Sequence, residues 1–336
     1  MNQGGLSNYD CQTAVPQPSE VNSWGIILAG GDGTRLRSLT QVISGDERPK
    51  QFCPLFGGTT LLEQTNKRVA LSIEPAKTLV VVTKTHEPYY SPLLEGVAEQ
   101  RIVVQPKNAG TAPAILYSLM RVSRTNPSAA VAIFPSDHYV SDDAAFMSYV
   151  ETAFELVGMR EDLVVLLGIK PETPETEYGW IEPVSYHLAG NPDALSWVRR
   201  FWEKPNRDLA IDLMNRGCYW NSFVMVGKVS AFLKMIKRTV PDLVRRFHAR
   251  EEILSNQNRD GLLERIYGGL SNLNFSHHVL AVRPGNLAVL PVTNVRWNDL
   301  GKPDRVLSTI GRLMPPLTFE QVSNSLALSA TAEARA

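Results

Sequence analysis

Three glycines stand close together in Leu28-Ala29-Gly30-Gly31-Asp32-Gly33-Thr34-Arg35, where an apolar run that begins at Trp24 stops. Glycine at such a point lets the chain turn sharply and bring backbone N–H groups up to a ligand, and clustered N–H groups favour anions. Arg35 adds a planar donor fork suited to phosphate oxygens. Further on, Glu47-Arg48-Pro49-Lys50-Gln51-Phe52 sets a proline-stiffened basic pair in the following loop, from which Lys50 could reach the same phosphates. Two rival readings of the turn are disfavoured. A P-loop would end in Gly-Lys-Ser or Gly-Lys-Thr, which is absent. A dinucleotide fingerprint would place its third glycine where Leu36 stands and an acid after the next strand, where Thr83 and Lys84 are found. A plain structural bend stays open on these residues alone.

The elements that must carry this turn are legible as short apolar runs. Trp24 to Leu28, Thr78 to Val82, Ile102 to Val104, Val131 to Phe134 and Leu163 to Ile169 are rich in Val, Ile and Leu, as strands covered on both faces must be. Between them come stripes at helical spacing: Leu61, Leu62, Thr65 and Val69; Ile115, Leu116, Leu119 and Met120; Phe146, Val150, Phe154 and Val157. Strand and helix alternate, which implies a mainly parallel sheet. Ligands of such sheets sit beyond the carboxyl ends of strands, which directs attention to Gly30-Gly31, Gln105-Pro106, Ser136-Asp137-His138 and the segment after Ile169. From Tyr178 onward the pieces shorten, with candidate strands at Trp197 to Lys204, Tyr219 to Val226 and Val279 to Val292, read as a sugar-facing half on the same sheet. No hexapeptide repeat announces an appended β-helix.

With 336 residues, one large domain with tails or a minor lobe is favoured. Lys plus Arg (34) balance Asp plus Glu (34), so no net field argues for nucleic acid or an anionic membrane as partner. Cys11, Cys53 and Cys218 are far apart and form no Cys-x-x-Cys pair, against a disulfide framework or structural zinc, and a reducing cytoplasm is the simplest reading. Residues 1–22 lack the form of a secretory signal and read as a disordered leader; residues 317–336 read as a tail, with a frayed helix open for about Ser323 to Ala336. No run is long enough to span a bilayer. The oligomeric state stays open, a homo-oligomer included.

Gly-Gly-x-Gly-Thr-Arg-Leu followed by Arg-Pro-Lys-Gln resembles the signature of sugar-1-phosphate nucleotidyltransferases, and its Pro-Lys-Gln-Phe form is most similar to the mannose-1-phosphate guanylyltransferases among them. The resemblance continues, in the family's order, through Gln105-Pro106, Thr111-Ala112-Pro113-Ala114, Phe134-Pro135-Ser136-Asp137-His138, Tyr178-Gly179-Trp180-Ile181-Glu182, Phe201-Trp202-Glu203-Lys204-Pro205, Trp220-Asn221-Ser222 and Trp297-Asn298-Asp299-Leu300-Gly301. It covers about Trp24 to Leu313. It implies an α/β, Rossmann-like nucleotidyltransferase fold: a mainly parallel mixed sheet flanked by helices, without a β-helix domain. One catalytic domain would fill residues 23–316, with a nucleotide half to about 170 and a sugar half beyond.

The resemblance also implies the chemistry. The enzyme would take GTP and mannose 1-phosphate and yield GDP-mannose and pyrophosphate, with Mg²⁺ held by Asp137 and Asp299. Arg35 and Lys50 would hold the triphosphate. Leu28, Ala29, Gly30, Gly31, Gly33, Thr34, Gln105, Pro106 and Thr111 would contact the nucleotide; Lys204 would anchor the sugar phosphate, and Glu203, Gly179 and Asn221 would contact the hexose. His138 is read as structural, since a sugar phosphate is already ionised at neutral pH. Glu182 has no assigned role, and His277-His278 lacks a third zinc ligand at recognisable spacing. Related chains often carry an arginine within the segment that here reads Lys107-Asn108-Ala109-Gly110-Thr111, which leaves the guanine assignment weaker than the reaction class. Three alternatives remain: the same chemistry with another sugar or base, a non-catalytic regulator that binds a sugar nucleotide, and a dinucleotide-dependent oxidoreductase.

Overall fold

The computed structural model describes residues 22–184, 195–248, 259–282 and 284–313. The expected tail lies outside these residues, as does the expected leader except Asn22, whose carbonyl accepts from Ala130 N. The apolar run after the leader becomes β1 (Ser23–Leu28), followed by α1 (Arg37–Ser44), α2 (Leu61–Val69), β2 (Thr78–Thr83), the short α3 (Glu87–Tyr90), β3 (Ile102–Gln105), α4 (Thr111–Thr125) and β4 (Ala130–Pro135). Then come β5 (Tyr139–Val140), α5 (Asp143–Met159), β6 (Val164–Ile169), β7 (Gly179–Pro183), β8 (Ser196–Glu203), α6 (Arg207–Asn215) and β9 (Tyr219–Lys228). The chain closes with α7 (Val229–Thr239), α8 (Pro241–His248), α9 (Arg259–Gly268), β10 (Leu287–Val292), β11 (Trp297–Asn298) and α10 (Pro303–Leu313).

Nine strands form one sheet in the order β3-β2-β1-β4-β9-β6-β10-β8-β7, and β7 also pairs with β9. All run in one direction except β8 and β9, which are antiparallel to their neighbours. The sheet is therefore mainly parallel yet mixed, and strands from before and after residue 170 share it. Period-two alternation decides the packing: on β1, Ile26 joins the core beneath α4, α7, α8 and α9, whereas Ile27 joins the core beneath α2, α5 and α6. Helix starts follow local chemistry. Thr60 Oγ1 accepts from Glu63 N while Glu63 Oε2 accepts from Thr60 N, a reciprocal cap for α2. Asp142 and Asn206 cap α5 and α6 through single side-chain oxygens.

One expected strand is corrected. Val279 to Val292 is not continuous: Ser276–Leu280 is a single wide π-helical turn, and the strand proper begins only at Leu287. Pro284 has no N–H to give to a ladder, so the apolar residues before it cannot share a central strand with those after it.

A third, small core matters for the site. Leu36 from the glycine turn, Cys53 and Leu55 from the following loop, Leu61, Leu300 and Val306 of α10 pack together. It ties the start of the catalytic region to its end.

Candidate active site

The glycine turn leaves β1 with Gly33 at φ +59°, a left-handed conformation that an L side chain adopts only with strain. A Cβ there would also lie 3.0 Å from Pro49 Cα. Gly30 leaves no room either, since its Cβ would meet Gln105 Nε2 at 2.7 Å, while nothing lies within 4 Å of a Cβ on Gly31. The turn is held from below. Gln51, 2% exposed, donates through Nε2 to the carbonyls of Ala29 (3.0 Å) and Gly31 (2.7 Å), and Thr83 Oγ1 donates to Gly30 O. With those carbonyls turned inward, the turn can present N–H groups to the cavity. Asp32 is held by Asn108 Nδ2 (2.8 Å) and by His86 Nε2 at 3.2 Å.

Asp137 and Asp299 come to the same cavity because β11 pairs antiparallel with β5, with Asn298 opposite Tyr139. Lys50, 8% exposed, joins them: its Nζ lies 3.2 Å from Asp137 Oδ2 and donates to the backbone carbonyls of Asp299 and Leu300. Asp299 Oδ1 accepts from Arg305 Nη1 (2.6 Å), Gly301 N (2.8 Å) and Tyr178 OH (3.2 Å). Burial works to raise the Asp299 carboxyl, but Lys50, His138 and Arg305 overcome it and hold the group below the usual carboxylate value. Burial raises the Tyr178 hydroxyl, with the Asp299 charge adding to it, so it stays a neutral donor. Burial lowers His138, which lines the same cavity: its Nε2 lies 3.6 Å from Asp137 Oδ1, its ring meets Trp297 edge-on, and its buried Nδ1 has no hydrogen-bond partner among the described residues.

Among the described residues no three of His, Cys, Asp and Glu cluster as a metal site. Two carboxylates suit Mg²⁺ nonetheless, because that ion takes oxygen ligands, keeps waters and draws further oxygens from phosphates. Asp299 Oδ1 takes the hydrogen bonds that described residues give this carboxylate, and Oδ2 receives none from them, which leaves one carboxylate oxygen open to a cation. The donor set fits.

The far wall comes from β7, β8 and β9. Gly179 pairs with Glu203 across the ladder, and its Cβ would touch Phe201 at 2.8 Å and Glu203 Oε2 at 3.1 Å. Burial raises the Glu203 carboxyl, against the pull of Lys204 and His277. Lys204 (φ +48°) and Phe223 (φ +63°) both adopt left-handed backbone. So does Leu300 (φ +51°), next to Asp299. Strained non-glycine backbone of this kind gathers at functional sites. Phe223 sits where the β6–β9 register slips, and Asn221 Oδ1 accepts from Phe223 N, leaving the Asn221 amide group for other contacts.

These elements enclose one cavity of about 410 Å³. Leu28, Gly30, Gly31, Arg35, Gln105, Thr111, Asp137, Gly179, Glu203, Lys204, Asn221 and Asp299 line it. Five expected contacts do not. Ala29 is buried, with its carbonyl spent on Gln51; Gly33, the exposed Thr34 and the buried Lys50 are not among the lining residues. Pro106 faces a separate hollow beside Lys84 and Tyr117. Arg35 reaches across the mouth to Glu177 Oε2 at 3.1 Å. Glu182 stays out of the cavity, bound by Trp202 Nε1 and Arg216 Nη1.

Sequence reasoning missed Arg305, Glu177 and the loop 272–276, of which Asn272, Asn274 and Ser276 line the cavity. That loop explains the absent arginine. Ala109 is 2% exposed, and Gly110 (φ +89°) would put a Cβ 2.5 Å from Leu273 O. Ala112 N donates to Leu273 O, Leu273 N to Ala109 O, and Phe275 N to Thr111 Oγ1. The 272–276 loop fills the space over this segment, leaving no path for a long side chain from either position.

A mixed sheet that brings a glycine turn, Lys204 and two acids to one cavity is the architecture of a nucleotidyltransferase. The model of the nucleotidyl transferase family matches residues 24–312, and the chain belongs to that family. It is similar to the xanthan biosynthesis protein XanB of Xanthomonas campestris, 30% identical over 283 residues that span 82% of this chain and 57% of that one. It is also similar to a mannose-1-phosphate guanylyltransferase of Escherichia coli, 27% identical over 82% of this chain and 59% of that one. The chain thus spans a little over half the length of these curated relatives. Among solved structures, one described as a mannose-1-phosphate geranyltransferase from Thermus thermophilus superposes with a TM-score of 0.71 at 30% identity, covering 85% of this chain and 79% of that one. No helix among the described residues is long and apolar enough to cross a membrane.

Proposed function

We propose that the chain transfers a nucleotidyl group from a nucleoside triphosphate to a sugar 1-phosphate, with GTP and mannose 1-phosphate as substrates and GDP-mannose and pyrophosphate as products. The observation that carries this reading is that one cavity has the glycine turn on one wall and Glu203, Lys204 and Asn221 on the other, with Asp137 and Asp299 also lining it. The names of the relatives and the Pro49-Lys50-Gln51-Phe52 segment favour guanine and mannose.

The reaction forms a bond from a phosphate oxygen of the sugar phosphate to the α-phosphorus and breaks the bond between the α-phosphorus and the bridging oxygen of the leaving pyrophosphate. No protein nucleophile is needed, and the attacking phosphate is already ionised, so catalysis rests on alignment and charge. Backbone N–H groups of Gly30 and Gly31, with Arg35 once it leaves Glu177, hold the triphosphate. Lys204 fixes the sugar phosphate, Glu203 accepts from hexose hydroxyls, and Gly179 and Asn221 shape the hexose seat. Asp137 and Asp299 would hold Mg²⁺, which when bound offsets the negative charge of the phosphates. Lys50 holds the Asp137 carboxylate and the backbone at Asp299 in place. A cytoplasmic setting suits the two buried, free cysteines.

The test is a substrate matrix. The purified protein is incubated with each nucleoside triphosphate, several hexose 1-phosphates and MgCl₂, and pyrophosphate release is followed. Fastest release with GTP and mannose 1-phosphate is expected; a faster pair would reassign the substrates, and no release with any pair would refute the reaction.

A further inference from the structure

Asp299 is held by a helix outside every motif of the chain. Arg305, on the first turns of α10 and only 12% exposed, places Nη1 2.6 Å from Asp299 Oδ1 and Nη2 2.8 Å from Glu175 Oε2, while its guanidinium lies over the Tyr178 ring at 4.5 Å from the centroid. Tyr178 in turn gives its hydroxyl to the same Asp299 oxygen. Val306, the next residue, is fully buried in the small core with Leu36 and Leu300, so the helix that carries Arg305 is itself fixed.

We propose that Arg305 is a positioning residue that aims the Asp299 carboxylate. Three donors converge on Oδ1, and none of the described residues donates to Oδ2. An ion pair serving stability alone would be met by Glu175. Here one arm of the fork hydrogen-bonds Asp299, the other lies 2.8 Å from Glu175 Oε2 as an ion contact without hydrogen-bond geometry, and the tyrosine ring beneath limits the guanidinium plane, so the carboxylate cannot rotate without giving up a charged hydrogen bond. One oxygen is thereby committed to the protein and the other kept for a cation. This inference rests on the cation-dependent reading above, and partners that orient a metal ligand typically matter by about 10- to 100-fold in metal affinity or activity.

The probe is Mn²⁺ alone, titrated into the 336-residue chain and followed by the electron paramagnetic resonance signal of free Mn²⁺, with unfolding curves on the same samples. Wild type, Asp299→Asn, Arg305→Met, Arg305→Lys and Glu175→Gln are compared. Arg305→Met is expected to weaken Mn²⁺ binding about 10- to 100-fold. Arg305→Lys should restore part of that loss, and Glu175→Gln, which keeps the guanidinium but removes its second anchor, should fall between. If Arg305→Met does not fold, Glu175→Gln carries the test. Mn²⁺ affinity lost in Asp299→Asn but unchanged in the folded Arg305 or Glu175 variant overturns the inference. Wild type binding Mn²⁺ no better than Asp299→Asn overturns the cation reading itself.

Discussion

Lys50 Nζ stands 3.2 Å from Asp137 Oδ2, with the lysine side chain 9% and the aspartate 31% exposed. The ammonium also donates to the Asp299 backbone carbonyl, so one buried cation holds the Asp137 carboxylate and the backbone that carries Asp299. We expect Lys50→Met to lower the turnover of sugar nucleotide by about 100-fold or more, the scale on which a preorganised donor usually counts. Its cooperative unfolding should persist. Pyrophosphate release at saturating substrates measures this, and an unchanged rate would make Lys50 a scaffold residue.

Asp137→Ala and Asp299→Ala should each reduce turnover by about 1000-fold or more, since the charge stabilisation at stake is several kcal/mol. Folding is expected to survive in Asp137→Ala. Circular dichroism and the same release assay decide; wild-type activity in either variant would remove it from the cation site.

Much of this was legible before any coordinates. The buried strands show themselves because both faces are covered, so Thr78 to Val82 and Leu163 to Ile169 can be apolar throughout. The glycine turn is legible because Gly33 needs a backbone that other residues resist. Register is another matter. That β9 would enter between β4 and β6 depends on pairings far apart in sequence, which no local run records. The role of Arg305 arises only when α10 docks beside β11, and the tether of Lys50 to Asp299 only when β11 meets β5. The broken run at Val279 to Val292 carried its own warning in Pro284-Gly285.

Neighbouring glycines should respond differently to one methyl group. Gly33→Ala must adopt φ near +59° and press on Pro49, so a loss of about 1–2 kcal/mol is expected in urea unfolding. Gly31→Ala meets open space and should unfold like wild type while raising the KM for the triphosphate. Equal stability losses would refute this division.

Glu203 links function to a stability cost. Its carboxyl is raised by burial, so the folded protein holds that proton more tightly than the unfolded chain, and the stability this gives is present below the unfolded value of about 4.3 and lost as pH rises through the raised folded value. Glu203→Gln has no proton to lose. It should therefore unfold at higher temperature than wild type at pH 7 to 8, an advantage that fades as pH falls towards 4. In the same variant the KM for the sugar phosphate should rise. A pH-independent difference between the two melting curves would argue against a buried, penalised carboxylate.

Cys53 and Cys218 are buried, and burial raises both thiols, Cys218 to about 12. Neither should be alkylated by iodoacetamide at pH 7.5 in the native protein, and both should be in urea. Site-resolved mass spectrometry distinguishes the cases; rapid native labelling of either would place it outside the core.

The insertion of β9 has a bearing on motion. Its ladder to β4 on one side and to β6 on the other makes the wall that receives the triphosphate and the wall that receives the hexose parts of one continuous plate. The two walls cannot swing together as jaws unless backbone hydrogen bonds break along a central strand. The reacting phosphates must then be brought into line by a largely rigid mould, with loop and side-chain shifts, such as the parting of Arg35 from Glu177, supplying what give there is.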